Sequence, residues 1–497
     1  MEPLHELHSR LGRVWALNRP GCATEHVVVV LPSLNMSPTL LRHYGLRLLA
    51  LEHRYLTEML MLARIPGCEL VFVCSEHPGA GLLEYYASLV PPAVQASVRA
   101  RVHVVSVDER SARPVAEKLL ESPRTLSRIS EIVAGRPAMI EPWNVMGAEA
   151  AVAQRLGLPM NGTPADLWPL GFKSAGRRIF RGSGVPVPLG SEDVRNLDDI
   201  AEAITTISGA HPRARGVVIK HDNSGAGEGN LVVGIRDSHG RAISGGVLQH
   251  LLDEAVPEWY RLDLAAGGGV VEELVSGSSF TSPSAQVDVA PDGAVEVVAT
   301  HEQVLSGDSS QVYAGCTFPA NPDYSAALAS HAAAVGRRLA ELGARGRLSV
   351  DFVAVKDGCW DVRAIEVNLR KGGTTHPLTT LRNLVPGHYE PGTGTWMAED
   401  GTSRCYSATD NLLDPTWMRL RPEAAIEAVA SAGLAFDGTT GTGVVLHMLS
   451  GLAIDGRCGL TAIARTPEDA HRLAQDAQQA IAVEGERAQG SVVGGPA

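Results

Sequence analysis

Apolar positions in the first third of the chain fall in short runs separated by amphipathic stretches. His26–Pro32 (HVVVVLP) is apolar on both faces, which predicts a buried strand. An amphipathic stretch follows from about Pro38 to Arg64. Cys68–Cys74 (CELVFVC), Val102–Val107 and Pro137–Pro142 repeat the strand signal. Strands spaced by helical patterns predict parallel βαβ units. Pro32-Ser33-Leu34-Asn35 follows the first strand, where a dinucleotide-binding fold would place G-x-G-x-x-G, so that fold is disfavoured.

The pattern changes near residue 160. Thr163-Pro164-Ala165-Asp166 reads as a helix start, with Thr163 as N-cap and Pro164 in the first turn, and the helix is expected to run to about Arg181 before Gly182, Gly184 and Pro186. A second helix is predicted over Asp198–Ile207. The strands Val217–Lys220 and Leu231–Ile235 flank a glycine-rich loop, HDNSGAGEGN. From about Val270 to Val385 another α/β unit is predicted, with a helix near Tyr324–Leu342 and the strand pair RLSVDFVAV and VRAIEVNLR. The remainder reads as helix over Pro422–Ala432, a hairpin from GVVLHML to GLTAIA, a helix over Pro467–Val483, and a disordered tail.

The 497 residues are 44% hydrophobic and 20% charged, with a net charge of −12. Such a length accommodates several domains of roughly 100–200 residues. The acidic balance disfavours nucleic acid or an anionic membrane as a partner, because phosphate surfaces need clustered cations. Seven cysteines without a C-x-x-C pair argue for a reducing compartment and against a zinc ribbon or disulfide framework. The N-terminus shows no basic region followed by an apolar core, and no apolar run reaches ~18 residues, so a soluble cytoplasmic protein is expected. Only five of the 43 basic residues are lysine: Lys118, Lys173, Lys220, Lys356 and Lys371. Compositional bias accounts for the total but not for the positions. Lys118 and Lys356 read as ordinary surface residues.

Three segments carry chemistry. In the strand around Glu366, residues two apart share a face, so Glu366, Asn368 and Arg370 line up while Ile365, Val367 and Leu369 face a core. Asp351 lies inside LSVDFVAV, where an unpaired carboxylate would cost several kcal/mol. Two carboxylates and an amide oxygen suit Mg²⁺, and a buried ion pair with Arg370 is the alternative. Lys220 leads into Ser224-Gly-Ala-Gly-Glu-Gly-Asn230, whose glycines allow close backbone approach to phosphate. The same loop also reads as a plain flexible turn, and it is no Walker A loop, since it joins two strands. The strand VVEELVSG (Val270–Gly277) could read an adenine edge with exposed backbone groups, or be only a strand.

The order of these pieces is more specific than any one of them: a helix bearing Lys173, then Lys220 with the glycine loop, then VEELVSG, then Asp351, then Glu366 and Asn368. In that order the chain resembles the ATP-grasp superfamily of ligases across roughly residues 165–390. The whole chain, including LPSLNMSPTLLRHYGLRLLALEHRY, THEQVLSG, YAGCTFP and the C-terminal hairpin, is most similar to the peptide ligases of the pheganomycin type. The fold so implied is α/β: a pre-ATP-grasp Rossmann-like domain (1–162), a two-lobed ATP-grasp domain (163–394, small lobe about 185–270), a small α+β C-terminal domain (395–485) and a flexible tail (486–497).

The resemblance implies roles. Lys173 and Lys220 would hold ATP phosphates, with Lys220 and Arg370 acting on the transferred phosphoryl group. Gly225, Gly227 and Gly229 would close over the β- and γ-phosphates, and backbone groups of Glu273, Leu274 and Val275 would read adenine. Asp351, Glu366 and Asn368 would carry Mg²⁺, with two ions expected. Ser276-Gly-Ser-Ser-Phe280 lacks the acidic residue that many members use on the ribose, which leaves that contact unassigned. Substrate-pocket candidates are Gln303, Gln311, Tyr313, Lys371, Thr374, Thr375 and His376, the last either a base for the incoming amine or a structural residue before Pro377.

The implied activity is ADP-forming ligation in peptide antibiotic biosynthesis. An N-capped, non-proteinogenic amino acid would be activated as an acyl phosphate and joined to a peptide N-terminus. Alternatives are a ligase for another small acid and amine, or a non-catalytic nucleotide-binding module. Biotin-dependent carboxylation is disfavoured because no lysine follows Lys371. The C-terminal region is expected either to cover the peptide channel or to make a homodimer contact.

Overall fold

The computed structural model describes residues 4–224, 229–306 and 312–493. A four-stranded parallel sheet occupies the N-terminal third, in the order Val102–Ser106, Cys68–Cys74, His26–Leu31, Ala138–Pro142. His26–Leu31 is buried at all six positions, as expected for a central strand covered by helices on both faces. The amphipathic stretch after it is not one helix. It divides into Pro38–Tyr44, Arg47–His53 and a 3₁₀ segment Arg54–Ala63, with the first break at Gly45, whose φ is +51°.

The small lobe has an antiparallel sheet in the order Gly190–Val194, Gly269–Glu273, Gly216–His221, Asn230–Gly234. It is covered by Leu197–Ala210 and Gly245–Ala255, whose Ile200, Ile204, Leu248 and Leu252 pack on Val217, Ile219 and Val271. An eleven-stranded sheet forms the large lobe; its central path runs Cys359–Asn368, Gly346–Asp357, Pro283–Val289, Val295–Ser306, Val312–Phe318, Ser403–Leu413. Arg457–Ala464 pairs with Ser403–Leu413, and Gly443–His447 pairs with Arg457–Ala464. The α+β C-terminal segment is thus hydrogen-bonded onto the large-lobe sheet. It also shares a core with the N-terminal third, where Trp417, Val445 and Leu460 join Leu48, Tyr55 and Phe72.

Several local expectations change. Thr163 caps no helix: its hydroxyl donates to Arg345 O at 3.0 Å. A 3₁₀ turn, Ala165–Gly171, contains Pro169, Phe172 is extended, and the α-helix begins only at Lys173 and ends at Gly182. The break sets Lys173 in the first turn. The closing helix continues past Val483 to Val493, so residues 486–493 are helical rather than a tail. Lys118 is no surface residue. It is 3% exposed, and its Nζ donates to Ser75 Oγ (2.8 Å) and Glu109 O (3.0 Å). Lys356 does sit at the surface, near Asp323 and over the Trp360 ring. All seven cysteines are free thiols. Among the described residues no helix is long and apolar enough to cross a membrane.

Candidate functional site

The two lobes face each other across a cleft of about 310 Å³. One wall carries Lys173, Lys220 and Glu272; the opposite wall carries Gln303, Asp351 and Glu366. Leu274, Val275 and Phe280 lie at the hinge between them, with Val218, Val353 and Ile365 as apolar surface.

Asp351 and Glu366 are register partners on adjacent antiparallel strands. Burial, and then the Glu366 charge, pushes the Asp351 carboxyl up to about 7, against the pull of Arg370 and two amide hydrogen bonds. Gln303 Nε2 donates to Asp351 Oδ1 and Asn368 Nδ2 to Oδ2, each at 2.9 Å. Because the Asn368 amide donates through nitrogen, its oxygen remains as the ligand-type atom. The facing oxygens are hard donors, so the cluster fits a divalent cation such as Mg²⁺.

Ile365 lines the cleft instead of the core. Asp351 pairs with Glu366 but Phe352 pairs with Ala364, so Ile365 is the extra residue of a β-bulge. The bulge breaks the alternation that the strand pattern predicts.

Lys173 is 7% exposed; its Nζ donates to Ser224 O at 2.7 Å and lies 3.5 Å from Glu366 Oε1. It bridges the glycine loop and the carboxylate pair. Lys220 Nζ donates to Glu272 Oε2 at 2.6 Å. Glu272 is 2% exposed and also pairs with Arg177, itself 1% exposed, which reaches Glu192 (2.7 Å) and Pro188 O (3.0 Å). A chain of charges from the lobe interior therefore aims the Lys220 ammonium. Gly225 and Gly227 lie outside the described residues. Gly229 has φ +73°, and a Cβ there would press on His221.

At the hinge, the Glu273 amide donates to Leu189 O (2.8 Å) and the Leu274 amide to Gly216 O (2.9 Å). Of the three amides, only that of Val275 has no backbone partner among the described residues. The Glu273 side chain is held by Leu189 N, His211 and Arg363.

The substrate candidates separate. Gln303 is in the cleft, and Gln311 lies outside the described residues. Arg370 stacks on Trp143 (4.8 Å) and donates to Lys371 O, near enough to Glu366 and Asp351 to feel both charges. Lys371 is 5% exposed and already paired with Glu141 (3.0 Å) and Glu58 (3.3 Å) of the N-terminal third. It is thus no free carboxylate binder. Thr374 and Thr375 are buried and bonded to Gln286: Thr374 O accepts from Nε2 and Thr375 Oγ1 donates to Oε1. The Tyr313 ring lies where a Cβ on Gly373 would be. His376 is 2% exposed and engaged by His447 and Asp410, so its ring does not reach the cleft. The sequence reading missed Arg177 and Glu272; the only signal was the two adjacent glutamates of VVEELV.

The family described as PGM1 C-terminal domain matches residues 424–477. The L-propargylglycine–L-glutamate ligase of Streptantibioticus cattleyicolor is 34% identical over 428 residues, covering 84% of this chain and 86% of that one. The chain belongs to the ATP-grasp ligases. It is an ATP-dependent, ADP-forming carboxylate–amine ligase. The IQ motif-containing protein H of Danio rerio is 23% identical, and the match covers 72% of this chain but 38% of that longer protein. Among solved structures, the β,γ-ATP complex of biotin carboxylase from Campylobacter jejuni shares the ATP-grasp fold with TM-score 0.54 and 14% identity, covering 93% and 95% of the two chains. The ADP complex of N5-carboxyaminoimidazole ribonucleotide synthetase does so at 0.52 and 13%, covering 94% and 99%.

Proposed function

We propose that this ligase joins a small, amino-acid-derived carboxylic acid to the α-amino group of a peptide in the cleft between its lobes. The observation that carries the site assignment is the convergence on one cleft of Lys173, Lys220 and the Asp351–Glu366 pair. The substrate carboxylate attacks the γ-phosphorus, ADP leaves, and an acyl phosphate forms; the amine then attacks the acyl carbon, phosphate leaves and the amine loses its proton. Two unit anions ~4 Å apart repel by roughly 4 kcal/mol at an effective dielectric of 20, so cations are a requirement of the first step. Lys173 and Lys220 supply them from the small-lobe side, and Arg177 through Glu272 keeps the Lys220 ammonium in place. Arg370 faces the transferred phosphoryl group, and the Val275 amide with the apolar hinge wall receives the adenine ring. Two Mg²⁺ ions, when bound by Asp351, Glu366 and Asn368, would add the remaining charge stabilisation.

For the acid, the reading is an N-capped non-proteinogenic amino acid in a cytoplasmic antibiotic pathway. The named relative supports a non-proteinogenic acid, since its name joins L-propargylglycine to L-glutamate. That name also favours a second reading, in which the amine is a single amino acid. ADP release measured over a panel of acids, each with L-glutamate or with short peptides, separates the two. Turnover with peptides supports the first reading, and turnover only with single amino acids overturns it. A purely nucleotide-binding role has no support, since both lysines and all three metal-type residues are present.

A further inference from the structure

We propose that His376, Asp410 and His447 form a structural binding site for one divalent transition-metal ion of the zinc class, separate from the nucleotide cleft. The three side chains come from different elements: the first turn of helix Thr375–Leu384, the strand Ser403–Leu413, and the last residue of strand Gly443–His447. All three are buried, at 2%, 8% and 1% exposure. His376 Nε2 lies 3.1 Å from His447 Nε2 and 3.1 Å from Asp410 Oδ1, and His447 Nε2 lies 2.8 Å from the same oxygen. Atoms each ~2.0–2.1 Å from one zinc ion at tetrahedral to right angles stand ~2.9–3.4 Å apart. Two edges of the triangle fall in that range, and the third, at 2.8 Å, lies just below it.

Proton chemistry alone serves this triangle poorly. If both imidazoles are protonated at Nε2, Asp410 Oδ1 accepts both N–H bonds while the two donor nitrogens face each other at 3.1 Å. With both protons on Nδ1, three lone pairs face one another in a buried space. A mixed pair leaves one lone pair against an anionic oxygen. A cation at the centre satisfies all three atoms at once. The surroundings hold the set in place. Arg54 donates to Asp410 Oδ2 at 2.5 Å, which turns Oδ1 toward the histidines. The imidazole rings are nearly perpendicular, at 71°, with their Nε2 atoms 3.1 Å apart. Gly459 makes room: a Cβ there would overlap His447 Nε2. Asp and His donors without thiolate suit zinc-class ions, with water in the fourth position. An ion there would tie the C-terminal strands to helix Thr375–Leu384 and, through Arg54, to the N-terminal third.

The test uses the full-length protein, stripped with chelator and titrated with Co²⁺. With excess Mg²⁺ present to fill the nucleotide cleft, the wild type should bind one Co²⁺ per chain with visible d–d absorption that Zn²⁺ abolishes. Asp410→Asn and His447→Gln should each weaken this at least tenfold. Glu366→Gln should leave it unchanged, because that carboxylate serves the nucleotide site. Absence of a saturable Co²⁺ signal in the wild type overturns the proposal whatever the variants do. So does a signal that Glu366→Gln abolishes and Asp410→Asn retains.

Discussion

Replacing Lys220 by methionine separates the two jobs assigned to its ammonium. Lys220 Nζ sits 2.6 Å from Glu272 Oε2, and Glu272 is 2% exposed. Removing one partner of a buried pair costs ~3–5 kcal/mol when the other charge is stranded. Here Arg177 still holds Oε1, so the loss should be roughly 2–3 kcal/mol, below a fully stranded charge. The double variant Lys220→Met/Glu272→Gln removes the stranded charge and should recover most of that stability. ATP use should not recover, because the phosphates still lack their cation. Urea unfolding would read the first quantity and the KM for ATP the second. Both variants should raise KM at least about tenfold, equivalent to ~1.4 kcal/mol. Restored ATP affinity in the double variant, or an unchanged KM in the single one, would refute the phosphate role.

Glu366→Gln should abolish turnover while the circular dichroism spectrum and melting profile stay native, since the side chain is only partly buried and its removal relieves repulsion on Asp351; retained turnover would count against its metal role. Burial holds His53 neutral down to about 4 and His301 down to about 3. Their folded values lie below the unfolded 6.5, so their share of stability is complete above that pH and is lost as pH falls toward 4 and 3. At pH 5 each costs about 2 kcal/mol, so His53→Asn/His301→Gln should lose about 4 kcal/mol less stability than wild type between pH 7.5 and pH 5; equal losses would contradict this. Gly459→Ala should destabilise by ~1–3 kcal/mol in urea unfolding, because the new Cβ meets His447 and Thr409 O, and a neutral outcome would show that the ring can move freely.

What could be read from the sequence depended on whether a residue's neighbours in the chain define its environment. Asp351 stood out because a carboxylate interrupts an apolar strand, and Lys220 because lysine is rare and this one enters a glycine loop. The parallel sheet was legible from runs such as HVVVVL. Ile365 was not, because its direction depends on a bulge set by the partner strand. Lys118 looked like a surface residue because nothing near it in sequence announces Ser75 as its acceptor. The Thr163 start failed because Arg345, far along the chain, claims the hydroxyl. Arg177 and the His376–Asp410–His447 triangle depend on long-range packing that no local spacing encodes.

The most direct test of the central claim is a hydroxylamine trap in which the enzyme is given ATP, Mg²⁺ and a panel of non-proteinogenic amino acids. Acyl hydroxamate and ADP should appear in equal amounts for the true acid, and both should vanish in Glu366→Gln. AMP and pyrophosphate as products, or hydroxamate formation that survives Glu366→Gln, would contradict the account.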